Sequence, residues 1–187
     1  MRALRQTIAS LQTEGWRMEN HTLSGKETYL RGVLFSLPFL LLAGGMYRVY
    51  LLDRAILLDH TTMILLAAVA VSLPIHEALH GLGWKIMGRL EKGDICFLFR
   101  HGLPMCSCKA VLPARAYLTG VLLPFMVLGG GSFLFLIVYP GSVSLLTALV
   151  NLTLPGADLV IAYKILRSDA VLVADSPDSA GFVGLCR

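Results

Sequence analysis

The apolar positions of this chain fall into four blocks, near 33–52, 61–84, 117–139 and 143–166, divided by short polar segments. A helix needs roughly 20 residues, rising about 1.5 Å each, to cross about 30 Å of hydrocarbon. Each block is long enough, so each predicts a transmembrane helix. Between the second and third blocks the period changes. Ile95, Phe97 and Phe99 alternate with Cys96, Leu98 and Arg100, and His101-Gly102-Leu103-Pro104 then interrupts before 105–112. That alternation predicts a short β-hairpin. It reads as a cap over the helix ends or as an edge strand on which an extended peptide can pair through its backbone. The expected fold is an all-α integral membrane protein of about four transmembrane helices, with a short cytoplasmic β-hairpin between helices 2 and 3.

The polar ends frame one membrane domain at 33–167, with an N-terminal segment at 1–32 and a tail at 168–187 whose Ser, Asp and Pro residues read as a flexible terminus. The first segment lacks the apolar core of a cleavable secretory signal. Composition agrees with the blocks: of 187 residues, 56% are hydrophobic and 15% charged, and the mean hydropathy is +0.70. Those values exclude an ordinary soluble domain.

Charge then orients the spans, because short loops rich in Lys and Arg stay cytoplasmic. Arg2, Arg5, Arg17, Lys26 and Arg31 precede the first block, six more basic residues lie between Lys85 and Arg115, and Lys164, Arg167 and Arg187 mark the far end. The loops on the other side hold only Arg48 and Arg54. Both termini and the hairpin are therefore expected in the cytoplasm of a multi-pass cell-membrane protein. The net charge of +4 is this topology signal, so the bilayer is an expected partner and nucleic acid is not. Cys96, Cys106, Cys108 and Cys186 fall on the reducing side, where disulfides are not expected. Cys106-Ser107-Cys108 lacks the CxxC spacing of a zinc site and reads as structural.

The chemistry lies in the second block, where His76-Glu77-Ala78-Leu79-His80 forms an HExxH sequence. Ionisable residues are costly in hydrocarbon and usually mark a site or an ion path. Residues four apart share a helix face, so His76 and His80 can present two nitrogens to one zinc ion, with Glu77 beside the zinc-activated water as general base. Catalytic zinc takes three protein ligands. The extended HExxHxxGxxH pattern fails, because Ile86 stands where its third histidine would be. Glu91 and Asp94 lie beyond the helix end. Asp158 is the better third ligand: measured from Lys85 and Lys164 as helix ends, His76 lies about 13 Å deep and Asp158 about 9 Å. Pro155 and Gly156 loosen the helix just before it, and Pro74 can bend the second helix two residues before His76. Asn151 shares nearly the same face as Asp158 and reads as a substrate-binding or supporting residue, or as an interhelical hydrogen bond. His21, His60 and His101 receive no metal role.

An HExxH in one membrane helix, followed by an Asp after an Asn/Pro/Gly stretch in a later one, resembles the site-2 proteases, a group of intramembrane zinc metalloproteases. More closely, Pro74-Ile75-His76-Glu77-Ala78-Leu79-His80-Gly81, the hairpin, Leu112-Pro113 and Gly156-Ala157-Asp158 resemble a small four-helix membrane family described as zincin peptidases. The resemblance implies zinc held by His76, His80 and Asp158, with Glu77 as general base, cleaving a peptide bond within or near the bilayer. Site-2 proteases show Asn-x-x-Pro followed by Leu-Asp-Gly, whereas this chain has Asn-x-x-x-Pro and Ala-Asp-Leu. The expected function is an intramembrane zinc metalloprotease acting on membrane-associated polypeptides. The rival is a noncatalytic membrane protein that binds metal, or serves as a scaffold, on the same fold.

Overall fold

The structure is a computed structural model that describes residues 2–51, 61–91, 93–100, 103–176 and 179–187. His60, the loop around Asp53, and the His101-Gly102 interruption lie outside the described residues. The helices are α1 (Arg2–Thr13), α2 (Gly25–Leu51), α3 (Thr61–Gly88), α4 (Ala114–Pro124), α5 (Gly130–Val138), α6 (Ser142–Thr153) and α7 (Gly156–Arg167). A π-helical segment, Phe125–Gly129, joins α4 to α5 without a break in direction, so that Ala114–Val138 acts as one rod.

Three helical stretches, Gly25–Val49, Met63–Gly88 and Ala114–Val138, are long and apolar enough to cross a membrane. Leu41, Leu66 and Ile137 project from them exposed, as side chains facing lipid do. The first helix starts earlier than its apolar block. Ser24 accepts the Glu27 amide at 3.3 Å and meets the Glu27 carboxylate at 3.4 Å, an S-x-x-E start that carries α2 through two polar turns. α3 runs unbroken through Pro74. The fourth block divides into α6 and α7, bent by 40°. Pro155, which supplies no N–H and crowds the preceding turn, stands at that break. α7 then packs on α2, where a Cβ at Gly156 would lie 2.5 Å from the Gly32 carbonyl oxygen. Only glycine permits that approach.

The chain is not all-α. Strands β2 (Ile95–Arg100) and β3 (Leu103–Cys108) pair antiparallel, with Arg100 opposite Leu103 and Ile95 opposite Cys108. A second, four-stranded antiparallel sheet is assembled from distant parts of the chain. It comprises β1 (Arg17–Asn20), β4 (Val111–Pro113), β5 (Leu172–Asp175) and β6 (Phe182–Cys186), in the order β1-β6-β5-β4. The tail expected to be flexible supplies its two central strands. Val173, Ala174, Phe182 and Leu185 are completely buried there. Val173 and Phe182 join Trp84, Leu112, Tyr117, Val121 and Ile165 in a core that locks the sheet onto α3, α4 and α7. Apolar burial on this scale outweighs the entropy of ordering the tail.

Removing the Phe182 ring should therefore destabilise the whole protein, because the ring is fully enclosed between sheet and helices. Phe182→Ala is expected to cost about 3–5 kcal/mol, read as a lowered unfolding midpoint in detergent micelles. An unchanged midpoint would return the tail to the status of a loose terminus.

Candidate metal centre

On α3, the four-residue spacing stacks His76 and His80 on one buried face, their ring centroids 4.7 Å apart. The break at Pro155 starts α7 afresh, which places Asp158 in its first turn. The three side chains converge. Asp158 Oδ2 lies 3.1 Å from His76 Nε2 and 3.4 Å from His80 Nε2, and the two Nε2 atoms are 3.1 Å apart. All three donor atoms fit within 4.8 Å, and among the described residues this is the group able to hold a metal ion.

The surroundings prepare these donors. His80 Nδ1 lies 2.9 Å from the Gly120 carbonyl oxygen. A carbonyl only accepts, so Nδ1 carries the proton and the Nε2 lone pair faces Asp158 and His76. That contact needs α3 and α4 almost touching: a Cβ at Gly83 would fall 2.7 Å from Gly120 Cα. His80 also stacks on Trp84 at 5.4 Å, and Trp84 stacks on Tyr117 at 5.3 Å while donating from Nε1 to the Tyr117 carbonyl oxygen at 3.0 Å. The imidazole is held by a hydrogen bond at one edge and an aromatic ladder on its face. Two imidazole Nε2 atoms and a carboxylate facing one another, with the His80 tautomer fixed from behind, are the donor set that zinc takes.

Glu77, next to His76, turns toward the hairpin and accepts the Cys106 backbone amide. A cavity of about 150 Å³ lies beside it, lined by Glu77, His80, Asp158, Met105, Cys106 and Asp175 among others. The hairpin is therefore part of the site wall. The β3 edge is already engaged: Pro104 has no amide hydrogen, Cys106 gives its own to Glu77, and Cys108 gives its own to Asp175 at 3.0 Å.

The sequence reading missed Asp175 because it sits in the tail taken as loose. Its carboxylate accepts from Tyr117 Oη at 2.6 Å and Ser107 Oγ at 2.8 Å as well as from Cys108. Loss of solvent raises its pKa above the ordinary carboxylate value, while those three donors pull it back. The visible signal was an acidic residue closing the apolar run Val171-Leu172-Val173-Ala174, with a second run at Phe182 beyond the sequence Ser-Pro-Asp-Ser. Asn151 is buried on α6, and its Oδ1 has no hydrogen-bond partner among the described residues. Glu91 and Asp94 bond to each other's turn, the Glu91 amide donating to Asp94 at 3.1 Å. His21 stacks on Phe182 at 4.7 Å. Neither Cys106 nor Cys108 joins the donor group; both pack as buried apolar residues in the core.

A family model described as "Putative zincin peptidase" matches residues 69–171. The match begins within α3 ahead of His76 and ends just before β5, so it contains the three donors and Glu77 but not Asp175. No curated protein and no solved structure matches the chain.

Burial, with the Glu77 and Asp175 carboxylates nearby, pushes the Cys106 thiol up to about 12, and burial pushes Cys108 up to about 11. The thiolate is the reactive form, so at about pH 8 both should react with N-ethylmaleimide at least about a hundredfold more slowly than an exposed thiol. Peptide mass spectrometry before and after unfolding checks this, and equal rates would refute the placement of β3 against α3.

Proposed function

The chain belongs to the zincin peptidase family, which makes zinc its cofactor, and on that premise we propose that it is a zinc metalloprotease hydrolysing membrane-associated polypeptides within or beside the bilayer. The observation that carries this reading is the meeting of His76, His80 and Asp158 within 4.8 Å, with Glu77 on the wall of the adjoining cavity. His76 Nε2, His80 Nε2 and Asp158 Oδ2 would hold the ion. Zinc bound there supplies Lewis acidity, which can bring the pKa of water from about 15.7 to about 7 and polarise a substrate carbonyl. Glu77 takes the proton that the attacking water gives up and passes it to the departing amine. The Cys106 amide orients that carboxylate from the hairpin side.

Two further features support the membrane setting. An apolar groove of about 1000 Å³ runs along α2, α3, α6 and α7 past Tyr29, Val33, Val69 and Leu154, and shares Ala157 and Ala180 with the site cavity. A polypeptide segment can slide in sideways along it and meet the donors beside Asp158. Counting α6 and α7 as one broken span gives four crossings, and Pro155 and Gly156 at the break are buried in the protein. The four-stranded sheet gathers both termini and the end of the hairpin loop on one side, the side richest in Lys and Arg. That supports a cytoplasmic location for all three.

Glu77→Gln separates hydrolysis from simple metal binding. It should keep about one zinc per chain while cleavage of fluorescein-labelled casein in detergent micelles falls at least about a thousandfold. Wild type without bound zinc, or cleavage indifferent to Glu77, would sink the peptidase reading. Asp158→Ala should weaken zinc binding by more than the roughly hundredfold that loss of an outer hydrogen-bond partner costs. Unchanged affinity in a competition titration would remove Asp158 from the ligand set.

A further inference from the structure

Asp175 ends β5, outside the residues matched by the family model. Its backbone is already secured, since β5 pairs on one side with β4 and on the other with β6, where Asp175 faces Phe182. Its side chain is not needed for that pairing and reaches out of the sheet. Both carboxylate oxygens are used, Oδ1 by Tyr117 Oη of α4, and Oδ2 by Ser107 Oγ and the Cys108 amide of β3.

The bonds to β3 matter because of what lies one step along the same edge. Amides two residues apart on a strand point the same way. The Cys106 and Cys108 amides are such a pair, one held by Glu77 and the other by Asp175. β3 is thus gripped at adjacent points by a carboxylate from α3 and a carboxylate from the tail. The first can shift with α3's side-chain rotamer, whereas the second stands on a rigid sheet and is braced by Tyr117, itself stacked on Trp84.

We propose that Asp175 is a positioning residue for Glu77: by holding Ser107 and Cys108 it sets where β3 sits over α3, and so where the Cys106 amide holds the Glu77 carboxylate. Its consequence for catalysis rests on the peptidase reading above; its consequence for β3 does not.

The test uses Asp175→Asn in the full-length protein in detergent micelles, with N-ethylmaleimide as probe of the thiols and labelled casein as substrate. Losing the charged acceptor of Ser107 and Cys108 should lower kcat about tenfold, with KM and zinc content little changed, and raise alkylation of Cys106 and Cys108 about tenfold. Removing the Asp175 charge by itself also eases thiol ionisation, so Ser107→Ala, which keeps that charge and deletes one bond to β3, is run beside it; it should raise alkylation about threefold, and unaltered reactivity there overturns the proposal. Cys186, buried on β6, is the internal control and should stay unreactive. Asp175→Glu, which keeps a charged acceptor, should recover part of both effects. Unaltered reactivity at Cys106 and Cys108 overturns the proposal, as does Cys186 reacting in step with them, which marks general loosening. Activity lost together with zinc also overturns it, because the metal site would then have collapsed. Should Asp175→Asn not fold, Ser107→Ala removes one of the three donors and carries the same test at about threefold changes. If wild type cleaves nothing, the peptidase reading falls, while alkylation still decides whether Asp175 holds β3.

Discussion

Two imidazoles and a carboxylate lie buried in a bundle whose outer faces are apolar, and polar groups can be kept there only if they satisfy one another. Much of the architecture around His76, His80 and Asp158 follows from that requirement. The helix break at Pro155 begins α7 at the depth where Asp158 meets α3. The glycine contact between α3 and α4 lets a backbone carbonyl take the outward nitrogen of His80. The glycine contact between α2 and α7 presses the Asp158 helix inward. Each device that looks like a local defect in a membrane helix brings a donor, or the partner of a donor, into place.

The polar parts of the chain answer a second requirement, that the carboxylate beside the candidate metal donors be held from outside the bundle. Glu77 is met by a hairpin amide, and the hairpin is met in turn by Asp175 from the far end of the chain. The site is therefore built from α3 and α7 within the bundle and from β3 and β5 beyond it. The sheet formed by both ends of the chain is the frame against which the hairpin is set.

Much of this was readable beforehand. The apolar blocks located the helices because bilayer thickness fixes the length of a span, and HExxH located two donors because four residues bring a helix back to the same face. Asp158 was singled out from depth and from the proline before it, and the structure brings its carboxylate to 3.1 and 3.4 Å from the two histidines. The tail was misread because Ser, Asp and Pro dominate the sequence between its two strands, which are only four and five residues long. Short strands acquire their stability from partners elsewhere in the chain, and composition does not record partners.

What the sequence determined by itself is what depends on local spacing: span length, the shared face of His76 and His80, and the break that precedes Asp158. The tertiary structure alone decided which groups separated by tens of residues would meet. Among them are His80 with Gly120, Glu77 with Cys106, and Asp175 with Tyr117, Ser107 and Cys108. Those meetings are set by helix packing and sheet register, which depend on shape complementarity between distant surfaces and leave no periodic trace along the chain.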